Sequence, residues 1–376
     1  MKALIDGLIY QMQSSGGISR LYNEILPRMC DLDDSLRITL FTEGRLKQEL
    51  PKHRQITHLA IPPMKRYLRP RRVWGPVIPE ARRFVRRLWV GRGRGQVWHS
   101  TYYTRPERWE GAQAVTVHDM VHERFSHLFN RPEAAEFRAR KRACILAADR
   151  IICVSETTHQ DVQHFYGLDG ARIRVIPHGC SDVFRPLAGD DCPLTLPAAE
   201  PFLLYMGSRA LYKNFHGLVR AYSAWPGRDE VALIVVGQGW SADEGRLLQE
   251  LGLGGRVHLL TDVDDETLCV LYNRAAALVL PSLYEGFGIP LLEAMACGCP
   301  IVASRIPSTL EVAGDCPVYF EPTAMDSLWA ALDLALSEGR DTARVQQGLQ
   351  RVQRYSWDQT AQQTLEVYRS ALSELE

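Results

Sequence analysis

The sequence has no excess of either charge: 44 Lys and Arg residues balance 44 Asp and Glu residues over 376 positions. That removes any global electrostatic argument for a nucleic-acid or membrane partner. No apolar run approaches the roughly 18 residues needed to cross a bilayer, and Asp6 interrupts Met-Lys-Ala-Leu-Ile-Asp where a signal peptide would carry its apolar core. The start reads instead as a first strand, and the chain as soluble or peripheral. Cysteines are few and not arranged as a framework. Nine of them, an odd number, sit in apolar contexts such as Ile151-Ile-Cys153-Val, so reduced thiols in a cytosolic compartment are expected.

Metal signatures are equally thin. Cys297 and Cys299 form a lone C-x-C, read as small packing residues. His118 and His122 are spaced H-x-x-x-H without an intervening glutamate, which carries little weight for zinc. Asp262-Val-Asp264 stands before Thr267-Leu-Cys-Val-Leu-Tyr, where Asp264 or Asp265 serves better as a helix cap than as a metal ligand. Gly237-Gln-Gly239 is too short to mark a nicotinamide site. No divalent metal and no cofactor are expected.

What is present is length and alternation. A chain of 376 residues suits two domains. Apolar strand-like runs recur near Ala3 to Tyr10, Arg37 to Phe41, Gln96 to His99, Ala114 to Val117, Arg150 to Val154 and Arg172 to Ile176, with helical patterns between them, notably Pro132 to Ala148 and Glu156 to Tyr166. A second series runs through Phe202 to Tyr205, Ala232 to Val236, Arg256 to Leu260, Ala277 to Leu280, Ile301 to Ala303 and Val318 to Phe320. Alternation of this kind means two parallel sheets with helices on both faces. Phe184 to Pro201, rich in proline and small residues, reads as the connector.

The most informative stretch is Leu278 to Ser304. A short apolar strand breaks at Pro281, Gly286 and Gly288 lie in the loop, Pro290 suits a first helical position, and Leu291, Leu292, Met295 and Ala296 recur at helical spacing before Gly298. Such a glycine loop brings backbone N–H groups to a helix N-terminus, a site fit for a phosphate ester. Glu285 and Glu293 bracket it, and either could accept paired hydroxyl bonds, as an acidic residue does for a ribose diol. Two acids alone fit better a Glu293 that complements the helix dipole and a Glu285 that is a solvated loop charge; the glycines between them favour the ligand site.

Glu285-Gly-Phe-Gly-Ile-Pro-Leu-Leu-Glu293, with Pro281-Ser282 before it and Ala-Met-Ala-Cys-Gly-Cys-Pro300 after it, resembles the glutamate, seven residues, glutamate signature of retaining, nucleotide-sugar-dependent glycosyltransferases of family 4. The resemblance implies a GT-B fold, an α/β architecture of two Rossmann-like doubly wound parallel-sheet domains facing across a cleft. The expected division is 1–186 for acceptor binding, 187–355 for the nucleotide sugar, and 356–376 as a helix crossing back to the first domain.

The remaining candidates follow. Met206-Gly-Ser-Arg-Ala-Leu-Tyr-Lys-Asn214 opens a helix after a strand, and Arg209 and Lys213, four apart, could converge on one point. Cations held there would stabilise a departing diphosphate; the spacing resembles the family's phosphate-gripping pair. Gly16-Gly17 follows the first strand and resembles the family's amino-terminal pyrophosphate loop. His118 ends a strand at the edge where open α/β sheets bind ligands, and His118-Asp119 resembles the family's sugar-contacting histidine. By that resemblance Glu285, His118, Arg209 and Lys213 are catalytic, while Gly16, Gly17, Gly207, Gly286, Phe287, Gly288, Ile289, Leu291 and Glu293 bind substrate.

Eleven basic residues crowd Lys65 to Arg94 against the single acid Glu80, with Phe84, Leu88 and Trp89 interleaved. The pattern fits an anionic membrane surface or a solvated helix face equally, and nucleic acid fits less well because no recognised module accompanies the charge. The Gly-Ser-Arg-x-x-Tyr-Lys-Asn-Phe form and the Ser-Gly-Gly-Ile-Ser opening most resemble polysaccharide mannosyltransferases, and the resemblance implies transfer of a sugar, mannose from GDP-mannose before a UDP-sugar, to a saccharide or lipid-linked saccharide in surface polysaccharide assembly. It would take place in the cytoplasm or at the inner face of the cell membrane. A sugar-nucleotide epimerase and a non-catalytic two-lobed sugar-binding protein are the other classes the pattern admits.

Overall fold

The computed structural model describes residues 1–14, 16–61, 90–188 and 201–375. The chain divides into two compact units, Met1–His178 together with Trp357–Glu376, and Gly179–Ser356.

The first unit carries a parallel sheet of β1 Lys2–Asp6, β2 Arg37–Glu43, β3 Ile56–Ile61, β4 Gln96–Ser100, β5 Ala112–Val117, β6 Arg150–Cys153 and β7 Ile173–Val175, ordered β3-β2-β1-β4-β5-β6-β7. The order reverses between β1 and β4, the switch point at which open α/β sheets take ligands beyond their carboxyl edge. The helix Gly17–Leu32 turns Leu21, Tyr22, Ile25, Leu26 and Met29 inward, as its spacing requires. The last helix, Trp357–Ser373, buries Trp357, Ala361, Leu365 and Tyr368 in the same core. Arg28 to Asp358 and Arg369 to Asp33, each 2.9 Å, clamp its outer face to that unit.

One local expectation is corrected and one strand is added. The first strand stops at Asp6 rather than running to Tyr10, because Ile9–Met12 forms a short helix. Asp6 itself is buried and accepts from the Leu8 amide at 3.1 Å, the Thr101 amide at 3.2 Å, the Thr101 hydroxyl at 2.5 Å and the Thr104 hydroxyl. These bonds turn the chain and tie the ends of β1 and β4 together. The edge strand β3, Ile-Thr-His-Leu-Ala-Ile, is mostly accessible and gave no clear apolar run.

In the second unit β8 Phe202–Met206, β9 Ala232–Val236, β10 Val257–Leu260, β11 Ala277–Leu280, β12 Ile301–Ser304 and β13 Val318–Phe320 pair in parallel as β10-β9-β8-β11-β12-β13. Strands β9 and β11 are buried at every position, the signature of a sheet covered on both faces. Its switch point lies between β8 and β11. Helices Met325–Glu338 and Ala343–Val352, not anticipated from the pattern, complete the cover.

Part of the expected connector is packed: Phe184 is buried edge-on to Tyr272, and the Leu187 amide donates to Asn273 Oδ1 at 2.9 Å. Residues 189–200 of that stretch, and 65–89 of the basic stretch, lie outside the described residues. Its last two cations, Arg92 and Arg94, pair with exposed Glu110 at 3.4 and 2.5 Å. Among the described residues no helix is long and apolar enough to cross a membrane.

Candidate functional site

In the second unit the loops after β8 and β11, the two strands flanking the switch point, meet. The Leu283 amide donates to the Tyr212 carbonyl at 2.8 Å, fastening the Glu285 loop to the turn Leu211–Lys213. Lys213 then spans the junction, its Nζ 2.7 Å from both oxygens of Glu285. Glu285 is buried and its Oε1 also accepts from the Ser282 hydroxyl at 2.6 Å. It is not a solvated loop charge.

Glu293 points inward from the helix Ile289–Ala296, is 2% exposed, and accepts from the Tyr272 hydroxyl at 2.9 Å. Burial, with the Glu293 charge beside it, pushes the Tyr272 hydroxyl well above its ordinary pKa, so it donates and does not ionise. Gly288 precedes this helix at φ 98°, in the left-handed region that glycine tolerates. Ile289 is half-buried and Leu291 wholly buried. Gly286, Phe287 and Gly288 are buried in the loop, with the Phe287 ring edge-on to Tyr355. Gly207 adopts φ 121° with open space where a side chain would stand, so the backbone itself is presented there.

Arg209 does not share a partner with Lys213. Its Nε donates to Glu244 Oε1 at 2.7 Å, and its Nη2 to Glu244 Oε2 at 3.2 Å and to the Gln238 and Gly239 carbonyls at 2.8 Å each. The guanidinium lies over the Trp240 ring, 4.7 Å from its centroid. Burial pushes the Glu244 carboxyl up, but bonds from Arg209 and Ser241 outweigh it and hold it below the ordinary glutamate value. Glu244 was not found from sequence. Its one local signal is the capping box with Ser241, which explains a helix start and nothing else.

In the first unit His118 follows β5 and is buried, with Nε2 3.4 Å from the Thr101 carbonyl; Nδ1 has no hydrogen-bond partner among the described residues. Burial lowers its pKa to about 4, so the imidazole is neutral at physiological pH. The loop behind it is fixed by Lys141, a fully buried lysine whose Nζ donates to the Asp119 carbonyl at 2.7 Å and to Glu123 at 2.8 Å. That lysine was hidden in a helix of weak amphipathicity. Gly17 opens the helix Gly17–Leu32, and the Gly16 carbonyl accepts from the Ser19 hydroxyl and the Arg20 amide, each at 3.0 Å; both glycines are exposed.

The residues set aside as bland are so placed. Asp264 caps the helix Asp265–Arg274 through the Thr267 amide at 2.8 Å. Cys297 packs 3.8 Å from Cys269, sulfur to sulfur. The His122 ring rests between Phe129 and Phe137. Among the described residues no group of three or more His, Cys, Asp or Glu side chains could hold a metal ion.

Comparison with known proteins covers both units. Residues 15–182 match the family model for glycosyltransferase family 4, and residues 193–351 the model for glycosyl transferases group 1. The O-antigen chain mannosyltransferase B of Escherichia coli is 30% identical over 308 residues, which is 78% of this chain and 80% of that protein. A D-inositol 3-phosphate glycosyltransferase of Xylanimonas cellulosilytica is 29% identical over 288 residues, 70% of this chain and 68% of that one. The O-antigen chain mannosyltransferase RfbU of Salmonella typhimurium is 27% identical over 222 residues, 58% of this chain and 60% of that one. Among solved structures, sucrose-phosphate synthase from Thermosynechococcus elongatus superposes with a TM-score of 0.76 at 22% identity, over 99% of both chains.

Proposed function

The chain belongs to glycosyltransferase family 4 and is a glycosyltransferase of GT-B fold, and on that premise we propose that it moves mannose from GDP-mannose, with retention at the anomeric carbon, to a hydroxyl of a saccharide or lipid-linked saccharide. The observation that carries this reading is the junction of the two switch-point loops, where Lys213 and Glu285 face each other at 2.7 Å. A departing diphosphate gains charge as the glycosidic bond breaks, and a cation fixed beforehand stabilises that charge more than it stabilises the bound donor. Lys213 and Arg209 are those cations in this reading. The amides opening the helix at Gly288 and Ile289 have no intrahelical acceptor and suit the same anion.

Glu293 takes the ribose hydroxyls. Glu285 acts as a fixed acceptor and counter-charge, not as a nucleophile: both its oxygens are held by Lys213 and one also by Ser282. Retention then follows from attack on the face the diphosphate leaves, with the leaving phosphate taking the acceptor proton. His118, neutral, offers a hydrogen bond to a sugar hydroxyl rather than a proton. No divalent metal is required, because Arg209 and Lys213 supply the positive charge.

Mannose is favoured by the two O-antigen chain mannosyltransferases among the relatives. A UDP-sugar is the second choice: HepE of Anabaena, crystallised with UDP and glucose, shares the fold with a TM-score of 0.67 at 19% identity, over 98% of this chain and all of that one. Association with an anionic membrane is suggested by the charge of 65–94 alone. The test is incubation with GDP-mannose, UDP-glucose and UDP-N-acetylglucosamine and an α-mannosyl oligosaccharide acceptor, with the product linkage read by NMR. An α-mannosidic product is expected; an inverted, β-linked product rejects retention, and transfer only from a UDP-sugar rejects the donor.

A further inference from the structure

Arg209 has five N–H donors in a rigid fork, and the protein occupies one edge of it. Nε and Nη2 are used by Glu244 and by the Gln238 and Gly239 carbonyls. Among the described residues Nη1 has no such acceptor, and it lies where a Cβ on Gly237 would stand only 3.0 Å away. Glycine at 237 therefore leaves room for that edge of the fork. The side chains of Arg209 and Glu244 are 6% and 9% exposed, so the pair is held out of water, where a misplaced cation would be costly.

We propose that Glu244 is a positioning residue for sugar transfer: by locking the Nε and Nη2 edge of Arg209 it fixes the Nη1 edge as the one offered to the diphosphate. The inference rests on the reading that Arg209 binds that group. A carboxylate suits the task better than an amide, because it accepts from Nε and Nη2 together and offsets the buried charge. It also gives each cation of the site its own anion, Glu244 for Arg209 and Glu285 for Lys213. Without donor the four groups sum to zero, and the incoming diphosphate does not have to displace Arg209 from its anchor to reach Nη1. Displacing a reacting group by about 1 Å can cost about a hundredfold in rate, so an unanchored guanidinium should lower turnover even though its charge remains.

The competing account is that Glu244 only caps its helix, since it forms the box with Ser241. Full-length Glu244→Gln, Glu244→Asp, Ser241→Ala and Arg209→Ala chains, checked for folding by melting temperature, would be compared for kcat with the active donor. Both Glu244 variants are expected to lose tenfold or more in kcat. Asp keeps the charge but is one methylene short of the fork. Ser241→Ala, which weakens the cap and leaves the ion pair, should stay within twofold of wild type. In an Arg209→Ala background, Glu244→Gln should add less than a twofold loss, because its effect passes through the guanidinium. Either Glu244 variant retaining more than half of wild-type turnover, or equal losses in both backgrounds, overturns the proposal. An Arg209→Ala chain at wild-type kcat overturns instead the reading on which it rests.

Discussion

Lys213 Nζ lies 2.7 Å from each oxygen of Glu285, a residue 72 positions further along the chain. Each is the other's counter-charge, so removing one takes the ion-pair partner from a charge that is largely out of water. Lys213→Ala should lower turnover about a hundredfold or more and destabilise the protein by up to about 3 kcal/mol. Adding Glu285→Ala should restore much of the lost melting temperature and none of the activity. A single variant that keeps wild-type turnover would contradict the assignment.

Glu293 receives the Tyr272 hydroxyl and is assigned the ribose. Glu293→Ala should raise the donor KM about tenfold or more, whereas Tyr272→Phe, which removes one supporting bond, should raise it less. A 2′,3′-dideoxy nucleoside diphosphate discriminates further. It should bind wild type weakly, and Glu293→Ala no more weakly than the ordinary nucleotide. Equal discrimination by both proteins would place Glu293 elsewhere.

Three buried histidines, His99, His118 and His178, have pKa values lowered by burial to about 3, about 4 and about 3. Because the unfolded chain binds protons near pH 6.5 and the folded one does not, their contribution to stability is full above that pH. It declines as pH falls, until the folded pKa values are reached. Each adds a slope of up to about 1.4 kcal/mol per pH unit in that window. Melting temperature measured from pH 7 to 4 should fall steadily. His99→Gln, which keeps an acceptor for its Thr116 and Tyr368 neighbours, should flatten the fall; an unchanged slope would show that His99 does not contribute.

Asp264 caps its helix through the Thr267 amide, so Asp264→Ala should lower the melting temperature and leave turnover within twofold. Transfer should likewise survive excess chelator. Activity lost with EDTA and restored by a divalent ion would contradict the metal-free scheme.

The alternation of apolar runs was enough to read the two sheets, because strands buried on both faces declare themselves. Edge strand β3, largely wet, did not, and the Ile9–Met12 helix was masked by the apolar run that continues from β1. At the site, Glu285 and Glu293 were legible because one loop and one helical turn hold them in a fixed spacing. The anchor of Arg209 was not, since Glu244 lies 35 residues away and reaches it only because β9 pairs with β8. The same reason hid Asp6, whose partners Thr101 and Thr104 arrive with β4. Local chemistry can be read along a chain; a partner brought by the neighbouring strand requires the sheet order.

In the proposed scheme Arg209 and Lys213 hold the leaving diphosphate. Titration calorimetry of GDP and UDP into wild type and into the folded Arg209→Ala/Lys213→Ala double variant tests it most directly. One nucleotide should bind wild type, and the double variant should lose that affinity by at least about a hundredfold, roughly 2.7 kcal/mol. Undiminished binding of the same nucleotide to the double variant would contradict it.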